Sequence, residues 1–359
     1  MALTISATDT ELQKPVNVVF QQRLLRNAKA LCPYFAGTDP AELQLQGGTA
    51  TVKWRRIENI TPTTTPLAEL TGNAAYGQGR DSTAASFTDI VATVAKYGQY
   101  YILNEEVNLF NPTGQDMKLA ETLAISAGRS LDQLQRNVVE DNATKIYGGN
   151  VGSDGAVVTS VSATDLDRAV NELQNQDALT FTPMSMGEDS IGTGPVLPSY
   201  WGINHPNVSH DMKKLSGFRS VETYAGQVQT MPGEYGYYSG AGEGLRLLQT
   251  TDASVDADAG GTKGSTGLRG TSDVDLYSIS VYGQEALGSV GFGLEHTQEI
   301  YRAGDDLPAV IALASQAQPS AADPFAEVNT LAWKAWHTGA VINANWSRVI
   351  RVGATDLSA

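Results

Sequence analysis

The sequence predicts an α+β fold built from a two-stranded excursion, one long helix and a larger region of short mixed elements. Residues 49–57 alternate between apolar and polar side chains with the period of a half-exposed strand. After Pro112, apolar residues recur every three or four positions over about eight helical turns. Beyond residue 150, short apolar runs are separated by glycine-rich stretches. With 41% hydrophobic and 18% charged residues, the chain has the balance of an ordered globular protein.

The overall charge and the cysteine content narrow the class of protein. The formal net charge is −15 at pH 7, which disfavours a surface that binds many phosphates. The single cysteine, Cys32, cannot form an internal disulfide, so we expect synthesis in a reducing compartment. Residues 1–9 lack the regions of a signal peptide, and no stretch reaches the roughly 18 apolar residues of a membrane span. We therefore expect neither secretion by a signal peptide nor insertion into a membrane.

The strand at 49–57 is the first half of a predicted hairpin. A polar stretch at 61–86, rich in threonine, glycine and proline, separates it from a second β-branched run at 90–94. An isolated hairpin is marginal in water, and loops longer than about 12–15 residues are uncommon inside compact domains. The sequence therefore predicts a hairpin with a long polar tip that contacts another subunit.

Helical periodicity marks two segments before residue 150. Residues 16–25 predict a short helix with too little apolar sequence around it for a core of its own. The long stripe consists of Leu119, Leu123, Ala127, Leu131, Leu134 and Val138. We predict that this helix ends near residues 147–149, because glycine commonly ends helices. Its polar opposite face suits a strut along a sheet or a subunit surface, and an ordinary core helix is equally compatible with the periodicity.

Short helices and loops are predicted after residue 150. Thr164 and Asp167 resemble a capping box at the start of one helix, and another short helix covers about 208–215. Residues 233–244 and 252–270 are dense in glycine and weakly periodic, which predicts surface loops.

Strand patterns resume towards the C-terminus. Residues 277–281 alternate as a strand, and residues 328–352 are predicted as two strands that turn at Gly339. Three tryptophans in this last segment are available to pack. The chain contains no internal repeat. These elements complete an α+β order in which strands and helices are mixed.

No residue pattern indicates an active site. His205 and His210 are five residues apart, without the glutamate of a zinc-protease helix. Cys32, beside Pro33, lacks any local signature of a nucleophile, and a buried inert thiol is the usual state of such a residue. The sequence therefore predicts that the protein has no catalytic residues and is not an enzyme.

Three further patterns fall short of the ligand sites that they resemble. Gly240–Gly244 lacks the spacing and the acceptor acid of a dinucleotide-binding loop, and Lys263 lacks the first glycine and the hydroxyl residue of a P-loop. Asp252, Asp256 and Asp258 miss the spacing of a helix-loop-helix calcium site, so we interpret them as a solvated acidic loop. The sequence thus predicts no cofactor and no metal.

The basic strand of the hairpin is the candidate interaction site. Three bases provide only weak, salt-dependent contact with nucleic acid. Pairing with an acidic neighbouring subunit fits the negative overall charge better. The predicted inter-subunit contacts lie on this strand and on the polar tip: Lys53, Trp54, Arg55, Arg56, Tyr76 and Arg80.

Several short segments of the sequence resemble those of a known protein family. The segment Ala92–Leu109, followed by the long helix, is similar to the major capsid proteins of podoviruses like coliphage N-four. The resemblance continues downstream, in the same order and at similar spacing, with Asn204-His205-Pro206 and Asp211, Gly233-Glu234, Asp323-Pro324 and Trp333-Lys334. Together these phrases cover most of residues 87–352, and the chain is identified as a member of that capsid family.

The resemblance implies the tailed-phage capsid fold, also called the Hong Kong 97 fold. The implied parts are an N-terminal arm (1–45), an extended loop hairpin (46–95), a peripheral domain with a spine helix (96–150), an axial domain with part of the peripheral sheet (151–325) and C-terminal strands of the peripheral domain (326–359). The glycine-rich stretch at 239–271 departs from the compact pattern of this fold. No motif supports the isopeptide cross-links known for the namesake of the fold, so we predict none.

By the same resemblance, the protein is expected to self-assemble into the icosahedral shell that encloses the double-stranded DNA of a phage. Its expected partners are copies of itself in hexameric and pentameric capsomers, with scaffolding, portal and decoration proteins; the DNA is enclosed without sequence-specific binding. The expected location is the virion, after synthesis in the host bacterial cytoplasm. The alternative is an encapsulin-like shell protein of a bacterial compartment, which shares the fold.

Overall fold

The part of the chain that the structure describes contains strands in four sheets and three α-helices, joined by turns and short 3-10 helices. The computed structural model describes residues 33–35, 37–41, 51–58, 62–64, 66, 85–104, 115–181, 196–223, 233–240, 242–290, 310–315, 324–325 and 327–358. The elements follow in chain order: β1 (Asp39–Ala41), β2 (Thr51–Ile57), β3 (Phe87–Thr93), β4 (Ala95–Asn104), α1 (Gln115–Asn142), β5 (Thr144–Tyr147), α2 (Ala163–Gln174), β6 (Ser199–Asn204), α3 (Pro206–Met212), β7 (Phe218–Ser220), β8 (Glu234–Tyr238), β9 (Gly244–Gln249), β10 (Val255–Asp256), β11 (Leu276–Tyr282), β12 (Leu287–Val290), β13 (Val310–Ser315), β14 (Val328–His337), β15 (Gly339–Val341) and β16 (Ser347–Val352). The predicted short helix at 16–25, Cys32, Tyr76 and Arg80 lie outside the described residues.

The largest sheet forms the centre of the subunit. Its strand order is β5-β16-β11-β6-β9-β8-β7, with β10 paired to β11 beside this path. Every residue of β6, β11 and β16 is buried. One face of the sheet packs against α2 and α3, and the other packs against the C-terminal half of α1 and Tyr34. Strands covered on both faces do not show clean alternation, which is why the sequence marks them only weakly.

Helix α2 confirms a predicted helix but not its predicted start. The N-cap is Ser162, whose hydroxyl accepts the Asp165 N–H at 3.3 Å, while the Asp165 carboxylate accepts the Ser162 N–H at 3.1 Å. The prediction of Thr164 and Asp167 was therefore wrong by two residues. The same hydroxyl-to-carboxylate spacing occurs twice in succession here, and the extended backbone of Ser162 decides which pair caps the helix.

Helix α1 confirms the predicted long helix, and it joins two parts of the subunit. Its N-terminal half packs Leu123, Ala127 and Leu131 against β14, and its C-terminal half packs against the central sheet. It ends at Asn142, so the predicted end near residues 147–149 was wrong. Residues 144–147 instead form β5, which pairs in parallel with β16. Pairing with β16 therefore stabilises residues 144–147 as a strand, and the helix does not continue through them.

Three smaller sheets complete the described part of the subunit. The antiparallel sheet β13-β14-β4 packs one face on α1, β1-β12-β15 is a second sheet, and β2-β3 is the predicted hairpin. Only Val94 separates β3 from β4, and only Thr338 separates β14 from β15. The chain thus passes twice from one small sheet directly into the next, which couples the hairpin to the sheet that α1 covers.

The C-terminal prediction of two strands turning at Gly339 was wrong. Residues 328–352 form three strands, and these belong to three different sheets. At Gly339 the chain does not reverse but passes close to α1, where an added Cβ would lie 2.3 Å from Oε1 of Gln135. The glycine is needed for this close approach, and the hydrogen-bond partners of β14 are β13 and the distant strand β4.

The predicted surface loop at 233–244 was also wrong over half of its length. Glu234–Tyr238 is the largely buried strand β8. An added Cβ would lie 2.3 Å from the Phe218 ring at Gly236, and 2.1 Å from the Tyr237 ring at Gly244. These glycines make room for aromatic rings within the sheet, so glycine density here signals close packing. The second predicted loop, at 252–270, is confirmed as turn-rich apart from the two-residue strand β10.

Candidate assembly interface

The hairpin β2-β3 rests on the subunit through one of its faces. Val52 and Trp54 of β2 are buried, and they pack with Ile90 and Ala92 of β3 against strand β12 and residues 340–342. The fit is close, because an added Cβ at Gly288 would lie 2.7 Å from Cε2 of Trp54. Trp54 is only 6% exposed. The structure therefore places this predicted contact residue in the core of its own subunit.

Arg56 ties the same side of the hairpin to the subunit. Its guanidinium donates to the Ile342 carbonyl at 2.9 Å and pairs with Glu58 at 2.6 Å. Glu58 also accepts the Thr88 hydroxyl at 2.6 Å, and these hydrogen bonds lower the pKa of Glu58. Trp54 and Arg56 were predicted to contact another subunit, but here they attach the hairpin to its own subunit.

The outer face of the hairpin presents large apolar side chains around a charged cluster. Ile57, Phe87 and Val91 are 65%, 55% and 60% exposed. Their register places Ile57 opposite Phe87, and Lys53 opposite Val91. Isoleucine, phenylalanine and valine gain most from burial against a partner, so this face is suited to contact.

The charged cluster on that face is internally paired. Asp89 accepts Arg55 Nε at 2.8 Å and also pairs with Lys53. Hydrogen bonds from Arg55 and Lys53 lower the pKa of Asp89 to about 2. The Arg55 guanidinium additionally lies 5.7 Å from the centre of the Phe87 ring. Lys53 and Arg55, two of the residues predicted to contact another subunit, therefore lie on the open face, and their cluster with Asp89 has one more base than acid.

A second open surface was missed by the sequence reasoning. It is the face of β4 and β14 that points away from α1, where Tyr100 and Ile102 are 65% and 61% exposed. On the same face the Lys334 ammonium lies 5.2 Å from the Trp336 ring. Within the described residues, β4 pairs only with β14 and so has one unpaired edge. The signal was present in the sequence, because residues 100–103 are apolar at every position and not only at alternate ones.

The candidate ligand patterns have structural roles. His205 caps α3 through Nδ1, which accepts the Asn207 N–H at 3.1 Å, and the Lys263 ammonium donates to the Gly270 carbonyl at 2.9 Å. Asp258 accepts the Thr271 N–H at 2.7 Å. Within the described ranges, no group of three or more histidine, cysteine, aspartate or glutamate residues is placed to hold a metal ion. Nor is any described helix long and apolar enough to cross a membrane.

Asp252 departs from the predicted solvated loop. Its side chain is buried, and it accepts hydrogen bonds from Arg129 at 2.9 Å and from Gln133 at 3.0 Å, both on α1. The prediction of solvation was wrong for this residue, because the loop folds back onto the long helix. Nearby, Arg351 bonds to Asp154 at 3.0 Å and to Asp256. The acidic loop is thereby attached to both α1 and the central sheet.

The described residues combine a central sheet that is buried on both faces with two open apolar surfaces, an arrangement suited to a structural subunit. The sequence model of the phage capsid protein family matches residues 87–352. The chain belongs to this family, and it is a major capsid protein with the α+β fold of tailed-phage capsids. The comparisons do not single out the podovirus group like coliphage N-four, and that assignment stays a prediction.

Solved capsids share this fold at low sequence identity. The capsid of Ralstonia phage GP4 has a TM-score of 0.61 at 13% identity, covering 90% of this chain and 87% of that chain. The head structure of Helicobacter pylori bacteriophage KHP40 has a TM-score of 0.56 at 9% identity, covering 90% and 91%. A structure from Microbacterium phage Oxtober96 has a TM-score of 0.51 at 11% identity, covering 90% and 91%. No curated protein matches the sequence.

Proposed function

We propose that this capsid protein closes an icosahedral shell around phage DNA through two surfaces, the outer face of the hairpin and the open face of β4 and β14. The observation that carries the proposal is the run of large exposed apolar side chains on residues 87–102, in a subunit whose central strands are buried on both faces. Contiguous exposed apolar patches are uncommon on monomeric proteins and mark interaction sites.

The two surfaces lie on consecutive strands, since β3 and β4 are separated by Val94 alone. The most exposed apolar residues are odd-numbered on β3 and even-numbered on β4, so each surface is proposed as a contact in its own right. Each such contact is modest, but a closed symmetric assembly lets every subunit make all of its contacts at once. The hairpin at 46–95 would act as the extended loop, α1 as the spine helix of the peripheral domain, and the central sheet as most of the axial domain.

The charge distribution supports contact between subunits and enclosure of DNA without tight binding. The base in excess on the hairpin face complements the acidic surface that a chain of net charge −15 offers to its neighbours. The same negative balance disfavours strong retention of phosphates inside the shell. We propose the expected partners accordingly: hexameric and pentameric capsomers of this chain, with scaffolding, portal and decoration proteins, and no catalytic role. Synthesis in the host cytoplasm precedes incorporation into the virion.

Electron microscopy of the full chain, expressed alone and purified by size exclusion, tests the proposal. We expect closed shells or tubes with visible capsomers, or the same particles on co-expression with the phage scaffolding protein. Only small species under both conditions would overturn the proposal. Particles from infected cells that protect DNA from nuclease support the phage shell, whereas a packaged enzyme would support the alternative compartment shell.

Replacing Phe87 by serine tests the hairpin face. Burial of a phenylalanine side chain contributes about 1.5–3 kcal/mol, so the loss per contact is expected to lower the yield of shells at least about tenfold. Because Phe87 is exposed in the subunit, the thermal unfolding temperature of the variant subunit should equal that of the wild type. Val158→Ser, at an exposed valine away from the hairpin, is the matched control and should assemble normally. Equal shell yields from both variants would exclude Phe87 from the contact.

A further inference from the structure

The described residues between 33 and 41 run between α1 and the small sheets. The Tyr34 side chain is fully buried, and its N–H donates to Oδ1 of Asp132 at 2.9 Å. Phe35 packs on the other side against His337 of β14, with ring centres 5.3 Å apart. Further along, β1 pairs in parallel with β12. The segment is therefore held between two buried titratable side chains, one on α1 and one on β14.

Asp132 is a buried carboxyl group, and none of the described residues gives it a cationic partner in hydrogen-bond contact. It is 0% exposed, and its Oδ2 accepts no hydrogen bond within the described part of the chain. The charged or titratable groups that face it are Arg136 on α1, Asp252 in the acidic loop, Tyr282 on β11, and Tyr34 with Glu140 beyond it. Arg136 donates to the Asp252 carbonyl at 2.6 Å. The position is suited to a neutral acid.

The protonation states of the two side chains follow from burial. Burial raises the pKa of Asp132 to about 8, with Asp252 adding to the rise, while the Tyr34 N–H and Arg136 oppose it. Burial lowers the pKa of His337 to about 4. Its Nε2 has no hydrogen-bond partner within the described residues. At neutral pH both side chains are thus mainly uncharged while the segment is in place.

We propose that residues 33–41 form a pH-sensitive latch, which stays seated while Asp132 is a neutral acid and His337 is a neutral base. Release of the segment exposes both groups to water, where each ionises in its ordinary range. The segment leads from the proposed N-terminal arm into the subunit, so its release changes how the arm is attached. This consequence for the arm rests on the proposed function, whereas the latch itself does not.

The direction of the pH effect follows from proton linkage. Between the ordinary carboxyl pKa of 3.8 and about 8, the seated form holds a proton on Asp132 that the released form loses, so rising pH favours release. Between about 4 and 6.5, the released form holds a proton on His337 that the seated form lacks, so rising pH favours seating. Between about pH 4 and 6.5 the effects of Asp132 and His337 oppose and nearly cancel each other. Between pH 6.5 and 8 the effect of Asp132, which favours release, remains.

Hydrogen–deuterium exchange on the full chain tests the latch. Protection of peptides covering residues 33–41 is measured at pH 5, 6.5 and 8, and is corrected for the intrinsic exchange rate. We expect little change from pH 5 to 6.5 and a loss of about tenfold from 6.5 to 8, because Asp132 in the seated form begins to ionise near pH 8 and His337 in the released form is still partly protonated at pH 6.5. In Asp132→Asn, which keeps an oxygen acceptor for the Tyr34 N–H and cannot ionise, the loss above pH 6.5 should disappear.

Two further variants keep the test decisive. His337→Phe removes the compensating base, so protection should now fall about 30-fold from pH 5 to 6.5 as well. Asp141→Asn changes a carboxylate on the exposed face of α1 and should keep the wild-type profile. Unchanged wild-type protection between pH 6.5 and 8, or the same loss in Asp132→Asn, would overturn the latch. Neither outcome depends on whether the chain forms shells, so failure of the latch is distinct from failure of the proposed function.

Discussion

Trp54→Ala is expected to detach the hairpin from the subunit and to abolish shell assembly. Trp54 fills the space between β2, β12 and residues 340–342, and truncation of a buried tryptophan costs about 3–5 kcal/mol. The loss should be local, because the hairpin meets the subunit mainly through this cluster and Arg56. Limited proteolysis should show rapid cleavage around residues 51–93, and electron microscopy should show few or no closed shells.

Trp54→Phe is the matched control for that prediction. The indole Nε1 has no hydrogen-bond partner within the described part of the chain, so phenylalanine removes no bond while keeping most of the buried area. We expect this variant to lose less than about 1.5 kcal/mol and to assemble. Wild-type protease resistance and normal shells in Trp54→Ala would show that the hairpin is held by other contacts.

Arg246→Met is expected to destabilise the central sheet by about 3–5 kcal/mol. Arg246 on β9 pairs with Glu234 on β8 at 3.1 Å, and both side chains are buried. Removing the guanidinium leaves the Glu234 carboxylate buried without that partner, which costs more than the pair itself contributes. Urea unfolding followed by circular dichroism measures the loss as a shift of the midpoint at constant slope.

Two comparisons test the physical reason for that loss. The double variant Glu234→Met with Arg246→Met replaces the pair by apolar side chains and should recover most of the stability. Arg55→Met removes a base from the exposed pair with Asp89, so we expect a change below about 1 kcal/mol. A double variant as unstable as Arg246→Met would show that the arginine acts through other contacts and not through Glu234.

The hairpin shows why part of the candidate interface was predictable. Alternation along β2 follows directly from one face being packed and one being open, so Lys53 and Arg55 are correctly expected on the outside. The same alternation places Trp54 inside, so the prediction that Trp54 contacts another subunit conflicts with the period of its own strand. Which face of a strand meets its own subunit depends on the partner surface, here β12 and residues 340–342, and that surface is distant in sequence.

The second surface and the C-terminal strands depend on contacts that are distant in sequence. The apolar run at 100–103 signals a strand with apolar side chains on both faces, but it does not reveal that only one face of the sheet is covered. Residues 328–352 read as a hairpin, because adjacent strands usually pair with one another. Here β14 pairs with β13 and with β4, which is more than two hundred residues away in sequence, and β15 pairs with β12 in a different sheet.

By itself, the sequence determined the fold class, the long helix, the hairpin and the resemblance to capsid proteins, because each depends on local periodicity or on short phrases. The tertiary structure decided where α1 ends, which glycines lie under aromatic rings, and which apolar faces remain open. It also decided that Asp132 is buried beside the Tyr34 N–H. These features depend on segments far apart in the chain, and their free energies come from burial and strand pairing that exist only once those segments meet.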